Sequence, residues 1–219
     1  METPADEGRV LLINKPYEWT SFDVVNKLRY RLKIKKIGHA GTLDPLATGL
    51  LIVCVGKMTK RIDSFMGMEK EYTGKFVLGQ STPSHDLETE VSEPRDISHL
   101  TEAQIIDATK PFTGVISQLP PMHSAIRVGG KRAYEFARKG QALELKPRDV
   151  EVTTFEVTAI ELPAVSFRIV CSKGTYIRSI ARDYGNALGV GAYMSELCRT
   201  RIGPYRLDDA MGIDDVAPV

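Results

Sequence analysis

Long apolar runs are missing from this sequence. The longest, Leu50 to Val55, is far shorter than the ~20 residues a membrane-spanning helix needs, so no membrane partner is expected. The first residues, Met1-Glu-Thr-Pro-Ala-Asp-Glu, are acidic and polar, without the basic and apolar regions of a secretory signal. Cysteine is scarce. Cys54, Cys171 and Cys198 are odd in number and far apart, which reads as three buried free thiols rather than a disulfide set or a zinc site. A reducing cytoplasm is therefore the expected location. Histidine is scarce too. His39, His85, His99 and His123 are isolated, and none forms HxxxH or HExxH, so no metal is expected. There is no GxGxxG dinucleotide loop and no GxSxG elbow. In Gly49-Leu-Leu-Ile-Val-Cys-Val-Gly56-Lys57, six residues separate the glycines where a phosphate loop has four, and they are apolar as in a buried strand.

What remains is an ordinary globular composition: 42% hydrophobic, 26% charged, in 219 residues. A chain of this length can bury a core without staples. No internal repeat or low-complexity linker divides it, and one domain is the expectation. Net charge is +1, but the charges are segregated. Lys27, Arg29, Arg31, Lys33, Lys35 and Lys36 form a run without an acid, whereas Asp86 to Asp107 carries seven acids against one arginine. A basic face opposite an acidic one suits a polyanion ligand; a solvated surface with uneven patches fits equally well.

Val10-Ile13, Leu50-Val55, Tyr72-Leu78, Ala125-Val128, Val150-Ala159 and Val165-Ser172 read as strands from their β-branched and aromatic content. Helices are expected after a cap at Ser21, after a Thr101/Gln104 capping box, over Arg132–Lys139 before Gly140, and over Tyr176–Leu188 before Gly189. Without regular β-α-β alternation the class is α+β, built on a mainly antiparallel mixed sheet flanked by helices.

The densest segment is Gly38-His39-Ala40-Gly41-Thr42-Leu43-Asp44-Pro45-Leu46-Ala47-Thr48-Gly49-Leu50. Three glycines and a proline mark a tightly folded loop running into a buried strand, a usual setting for catalytic groups. Local chemistry alone would make Asp44-Pro45 a turn starter. The string itself resembles the signature loop of the TruB family of tRNA pseudouridine synthases. Further segments resemble the family in order: Lys15-Pro16 with Trp19-Thr20-Ser21; Thr59-Lys60; Lys70-Glu71-Tyr72; Gln118-Leu-Pro-Pro-Met-His-Ser124-Ala125 with Gly130 to Gly140; Cys171-Ser-Lys-Gly-Thr-Tyr176-Ile-Arg178-Ser179 with Asp183 and Gly185; and Leu197 with Arg199 and Gly203. Glu18 stands where many members have glycine, and His123 where an aromatic is common.

The resemblance implies a pseudouridine synthase fold over about residues 10–205, an RNA-gripping insertion at about 118–145, a short acidic tail at 206–219, and no C-terminal PUA domain. It implies isomerisation of uridine 55 in the T loop of tRNA by base flipping, with no cofactor or metal and no obligatory protein partner. Asp44 is implied as the catalytic carboxylate, Arg178 as its counter-ion, and Tyr72 as the ring that stacks on uracil and takes part in proton transfer. Tyr176 and Leu197 are implied to line the base pocket, and His39 to fill the space the base vacates. Lys15, Lys60, Lys131, Arg132, Lys173 and Arg199 are the candidates for holding the RNA backbone. A guide-RNA-dependent relative and a non-catalytic tRNA-binding or chaperone protein are the alternatives.

Overall fold

The computed structural model describes residues 8–124, 127, 128, 131–133, 136, 141 and 143–217. The chain forms two compact units: Met1–Thr73 with Glu196–Val219, and Gly74–Ser195.

The first unit is organised by its most apolar strand. β1 (Arg9–Lys15) pairs antiparallel with β3 (Thr48–Val55) along its whole length, from Arg9↔Val55 to Lys15↔Gly49. The other edge of β3 is shared by two strands. β2 (Ile37–His39) pairs antiparallel at the Val55 end, and β10 (Ala192–Ile202) pairs parallel at the Thr48 end, through Cys198↔Thr48 and Arg199↔Gly49. A strand covered on both faces carries apolar residues on both. Leu51, Val53 and Val55 pack with Val24, Val25, Leu28 and Leu32 of helix α1 (Ser21–Leu32). Leu50, Ile52 and Cys54 face the opposite way, toward Phe65 of helix α2 (Ile62–Met66) and Ile202. Gly49 is the one residue that fits its place: at φ +101° a Cβ would lie 2.4 Å from the Arg199 carbonyl oxygen.

The cap of α1 is Thr20, one residue earlier than the sequence indicates. Its hydroxyl accepts from the Asp23 backbone N–H, and the Asp23 carboxylate accepts from the Thr20 N–H, closing a capping box. Ser21 is freed for another task, described below.

In the second unit β5 (Gly114–Gln118), β8 (Arg148–Glu161) and β9 (Ala164–Cys171) form an antiparallel run in that order. Phe76 of β4 (Lys70–Leu78) stacks on Phe167 with ring centroids 4.1 Å apart, and Phe155 and Tyr184 complete an aromatic cluster. Tyr184 lies on α4 (Ile177–Ala187); its hydroxyl donates to the Ile105 carbonyl at 2.8 Å, tying α4 to α3 (Glu102–Asp107). The Thr101/Gln104 capping box forms as expected, and α4 falls within one residue of its expected ends.

The sequence does not announce β2, β5, β10 or the short last strand β11 (Tyr205–Arg206). Cys198, expected to be buried, is a half-buried free thiol, and only Cys54 and Cys171 are enclosed. Arg127–Val128 (β6) and Lys131–Arg132 (β7) form a short antiparallel pair. Ala125 and most of the helix read over Arg132–Lys139 lie outside the described residues, and Arg132 itself ends β7.

Glu18, which occupies a family glycine position, has φ +65°. The left-handed region costs a side-chain-bearing residue about 1–2 kcal/mol, partly offset by the greater unfolded-state freedom of glycine. Glu18→Gly should therefore raise the melting temperature by about 1–3 °C, and Glu18→Val, which adds β-branching, should lower it. Thermal denaturation of the two variants checks this; equal melting points would remove the strain assigned to this turn.

Candidate active site

The chain between β2 and β3 has little regular structure, so its backbone carbonyls need other donors if they are to be buried. Three side chains supply donors to this loop and to the segments that flank it. Arg199 of β10 is 1% exposed. Its Nε donates to the Leu50 carbonyl at 2.8 Å, and its two terminal nitrogens donate to the carbonyls of Thr42 and Gly41 at 3.4 and 3.2 Å. Lys15, the last residue of β1, is fully enclosed. Its ammonium donates to the carbonyls of Pro45 (3.1 Å), Pro16 (2.9 Å) and Trp19. The Ser21 hydroxyl accepts from the Leu43 N–H at 2.9 Å and donates to the Leu43 carbonyl at 3.2 Å.

Asp44 sits between these anchors. Its carbonyl accepts from the Ala47 N–H at 3.1 Å, a turn with Pro45 at the second position, where its fixed φ is favourable. Asp44 thus does start a turn, and that turn is clamped on both sides. Burial pushes the Lys15 amine down from 10.5 to about 8, the charge of Asp44 opposes the fall, and Arg199 adds to it. A cation thus lies within the field of the Asp44 carboxylate and favours its ionised form.

His39 ends β2 beside this loop. Burial, aided by Arg199, lowers its pKa against an opposing hydrogen bond to the Gly41 backbone carbonyl, so the imidazole is neutral at pH 7. Tyr72 on β4 and Leu197 on β10 are both buried in the same unit. Lys60 is exposed on the 3-10 helix Gly56–Arg61.

The second unit carries the rest. Arg178, in the first turn of α4, is 3% exposed. Its Nε lies 3.5 Å from the Asp86 carboxylate, and its terminal nitrogens donate to the carbonyls of Ser84 (3.3 Å) and His123 (2.8 Å). Tyr176 caps α4. Gln118 grips its backbone twice, accepting from the Tyr176 N–H at 2.8 Å and donating to the Tyr176 carbonyl at 3.1 Å. Lys173 is exposed in the preceding turn. Lys131 and Arg132 form β7; their side chains lie outside what the structure describes.

Two of the residues read as RNA contacts need correction. Lys15 and Arg199 are enclosed, and their donors are engaged by backbone carbonyls of their own unit. A phosphate contact would require withdrawing those donors from buried acceptors, at about 1–3 kcal/mol per carbonyl left unpaired. Sequence reasoning also missed Asp86 and Gln118. Asp86 opens the acidic stretch that reads as solvated surface, yet it is a buried partner of Arg178. Among the described residues, no group of three or more His, Cys, Asp or Glu side chains could hold a metal ion, and no helix is long and apolar enough to cross a membrane.

The Lys15 amine gives a direct check. Its folded value lies below its unfolded one. Between about pH 8 and 10.5 the unfolded chain holds a proton that the folded chain has released, so this group makes stability rise with pH over that window. An NMR titration of labelled lysine side chains should show one amine titrating near pH 8, absent in Lys15→Met. The same variant leaves loop carbonyls unpaired and should lose about 1–3 kcal/mol of stability. Lysines that all titrate in the ordinary range would contradict the enclosure.

Comparison with known proteins agrees across nearly the whole chain. Residues 29–177 match the model of the TruB family pseudouridylate synthase N-terminal domain, and residues 178–219 that of the tRNA pseudouridylate synthase B C-terminal domain. A tRNA pseudouridine synthase B of Flavobacterium johnsoniae is 51% identical over 94% of this chain and 93% of its own length. One from Chloroherpeton thalassium is 51% identical over 96% and 89%. Among solved structures, a Cbf5-Nop10-Gar1 complex matches at TM-score 0.74 and 34% identity over 96% of this chain. An H/ACA RNP bound to a substrate RNA containing 2′-deoxyuridine matches at 0.70 and 32% over 94%. The chain spans only about half of those two solved chains, 54% and 51%. A pseudouridylate synthase at TM-score 0.50 and 17% identity shares the fold. With this agreement in sequence and in α+β architecture, the chain belongs to the TruB family of pseudouridylate synthases, and its fold is the pseudouridine synthase fold.

Proposed function

We propose that the protein isomerises uridine to pseudouridine in tRNA, at position 55 of the T loop, with Asp44 as the catalytic carboxylate. The observation that carries this is the similarity to tRNA pseudouridine synthase B proteins at about half identity over nearly their full length. The clamped Asp44 loop supports the residue assignment. The whole of 1–219 acts as one catalytic domain, in the cytoplasm, with segment 118–145 gripping the RNA and no protein partner needed.

The target base is extruded from the RNA loop at a cost of a few kcal/mol, and neutral His39 fills the space it leaves. The N1–C1′ bond breaks, the uracil turns, C5 bonds to C1′, the C5 proton departs, and N1 takes up a proton in its place. No atom is gained or lost overall. Asp44 meets the electron-poor sugar carbon as its glycosidic bond breaks. A carboxylate in an enclosed pocket stays ionised only if a cation offsets its desolvation; Lys15 contributes to this, and the planar fork of Arg178 is the further counter-ion. Tyr72 stacks on the uracil, and its oxygen assists removal of the C5 proton; Tyr176 and Leu197 line the base pocket. Lys60, Lys131, Arg132 and Lys173 hold phosphates, while Lys15 and Arg199 hold the loop. A guide-RNA-dependent activity is disfavoured by the full-length match to tRNA pseudouridine synthase B proteins.

Release of tritium from tRNA labelled at uridine C5 tests the assignment beside binding of the same RNA. Asp44→Asn keeps size and shape but removes the charge, and should abolish release while leaving binding nearly unchanged. Tyr72→Phe keeps the stacking ring and should release tritium severely more slowly, with affinity changed much less. Substantial release by Asp44→Asn would remove Asp44 from the chemistry; near-normal release by Tyr72→Phe would leave Tyr72 as a stacking platform.

A further inference from the structure

The basic run Lys27–Lys36 is not used by the chemistry above. It spans the end of α1 and the link to β2, around a groove of about 790 Å³ lined by Arg29, Tyr30, Arg31, Lys33, Ile34 and Lys35. Cations in the last turn of a helix are often there to offset its dipole. That accounts for Arg29 and Arg31. Both are also tied down: Arg29 donates to the Ile37 carbonyl at 3.0 Å, and Arg31 binds the carbonyls of Asp214 and Val216. Asp214 further pairs with Lys27 at 3.6 Å.

Lys33, Lys35 and Lys36 are different. They lie past Leu32, the last helical residue, all are exposed, and among the described residues no carboxylate pairs with them. Tyr30 beside them is 86% exposed. The backbone under these lysines is fixed: Lys33 ends the helix in a left-handed conformation, and the Lys36 carbonyl accepts from the Gly56 N–H at 2.8 Å. The result is a rigid platform with three unneutralised cations and an exposed aromatic ring.

Its position follows from the register. Ile37 pairs with Val55, so the platform lies at the far end of β3 from Thr48, where the Asp44 loop enters. Seven steps of about 3.3 Å make that roughly 23 Å. A surface at that distance is out of reach of the nucleotides around the target base, but within reach of a helical stem leading away from it.

We propose that the platform formed by Tyr30, Lys33, Lys35 and Lys36 is a second RNA-binding surface, which holds the phosphate backbone of the tRNA stem remote from the reactive loop. This rests on the proposed tRNA substrate; the phosphate polyanion supplies the charge that the exposed lysines lack. The contact is to backbone, so it adds affinity without sequence preference.

The test is the triple variant Lys33→Asn, Lys35→Gln, Lys36→Gln, in which asparagine keeps a residue tolerant of the left-handed backbone. Binding of whole unmodified tRNA and of an isolated T stem-loop is measured across a salt series, without reference to turnover, so that absent isomerisation would count against the function and leave the surface readable. Whole-tRNA affinity should fall about tenfold or more at low salt, with the salt slope reduced by about 2–3. Stem-loop affinity and turnover at saturating RNA should be unchanged. Equal losses for both RNAs would make the lysines a diffuse field rather than a remote contact, and unchanged whole-tRNA binding would remove the surface altogether. Competition by poly-glutamate as effective as that by tRNA would assign the platform to acidic proteins instead; any one of these three results overturns the proposal.

Discussion

Two buried cations donating to the carbonyls of one irregular loop are the constraint on which the first unit depends. Burying an ammonium and a guanidinium is costly unless every donor finds an acceptor. The loop has the reverse problem: its carbonyls have no strand or helix partners. Lys15 and Arg199 meet both needs at Gly41, Thr42 and Pro45, and their remaining donors reach Leu50 of β3 and Pro16 and Trp19 beside β1. Because Lys15 ends β1 and Arg199 lies on β10, on opposite edges of β3, the loop is gripped from the two strands that flank the one it runs into. Ser21, displaced from the cap by Thr20, ties the start of α1 to the same loop. Few backbone torsions around Asp44 are left free, which is the preorganisation a catalytic carboxylate needs.

The second unit solves the same problem with different residues. Arg178 is enclosed with Asp86 and two backbone carbonyls, and Gln118 fixes the Tyr176 backbone just ahead of it. Breaking a buried pair by removing one partner typically costs about 3–5 kcal/mol, since the remaining charge is left uncompensated. The orientation of the Arg178 fork therefore depends on a residue in the most acidic stretch of the chain, where Asp86 has the composition of an ordinary solvated loop.

Most strands and the class of the fold were legible because their chemistry is one-dimensional. Leu50–Val55 can only be a strand buried on both faces, and Thr101 with Gln104 closes its capping box within four residues. β10 was not legible: Glu196, Arg199 and Arg201 interrupt its apolar pattern, and Arg199 points inward, the reverse of the usual rule. The same fact explains why Lys15 and Arg199 looked like RNA contacts. A cation in a sequence announces a partner but does not say whether that partner is a phosphate or a carbonyl. Only burial distinguishes the two, and burial here arises from pairings between Lys15 and Gly49 and between Arg199 and Gly49, far apart in the chain. The Asp44 loop itself was legible through its glycines and proline and through the family string.

The central claim is that this clamped loop presents Asp44 to one uridine of a folded RNA. Its most direct test is to incubate the protein with an unmodified tRNA transcript and map pseudouridine at single-nucleotide resolution. The account predicts one modified position, uridine 55 of the T loop, formed without any added protein or guide RNA. No pseudouridine, or pseudouridine spread over several stems and loops, would contradict it.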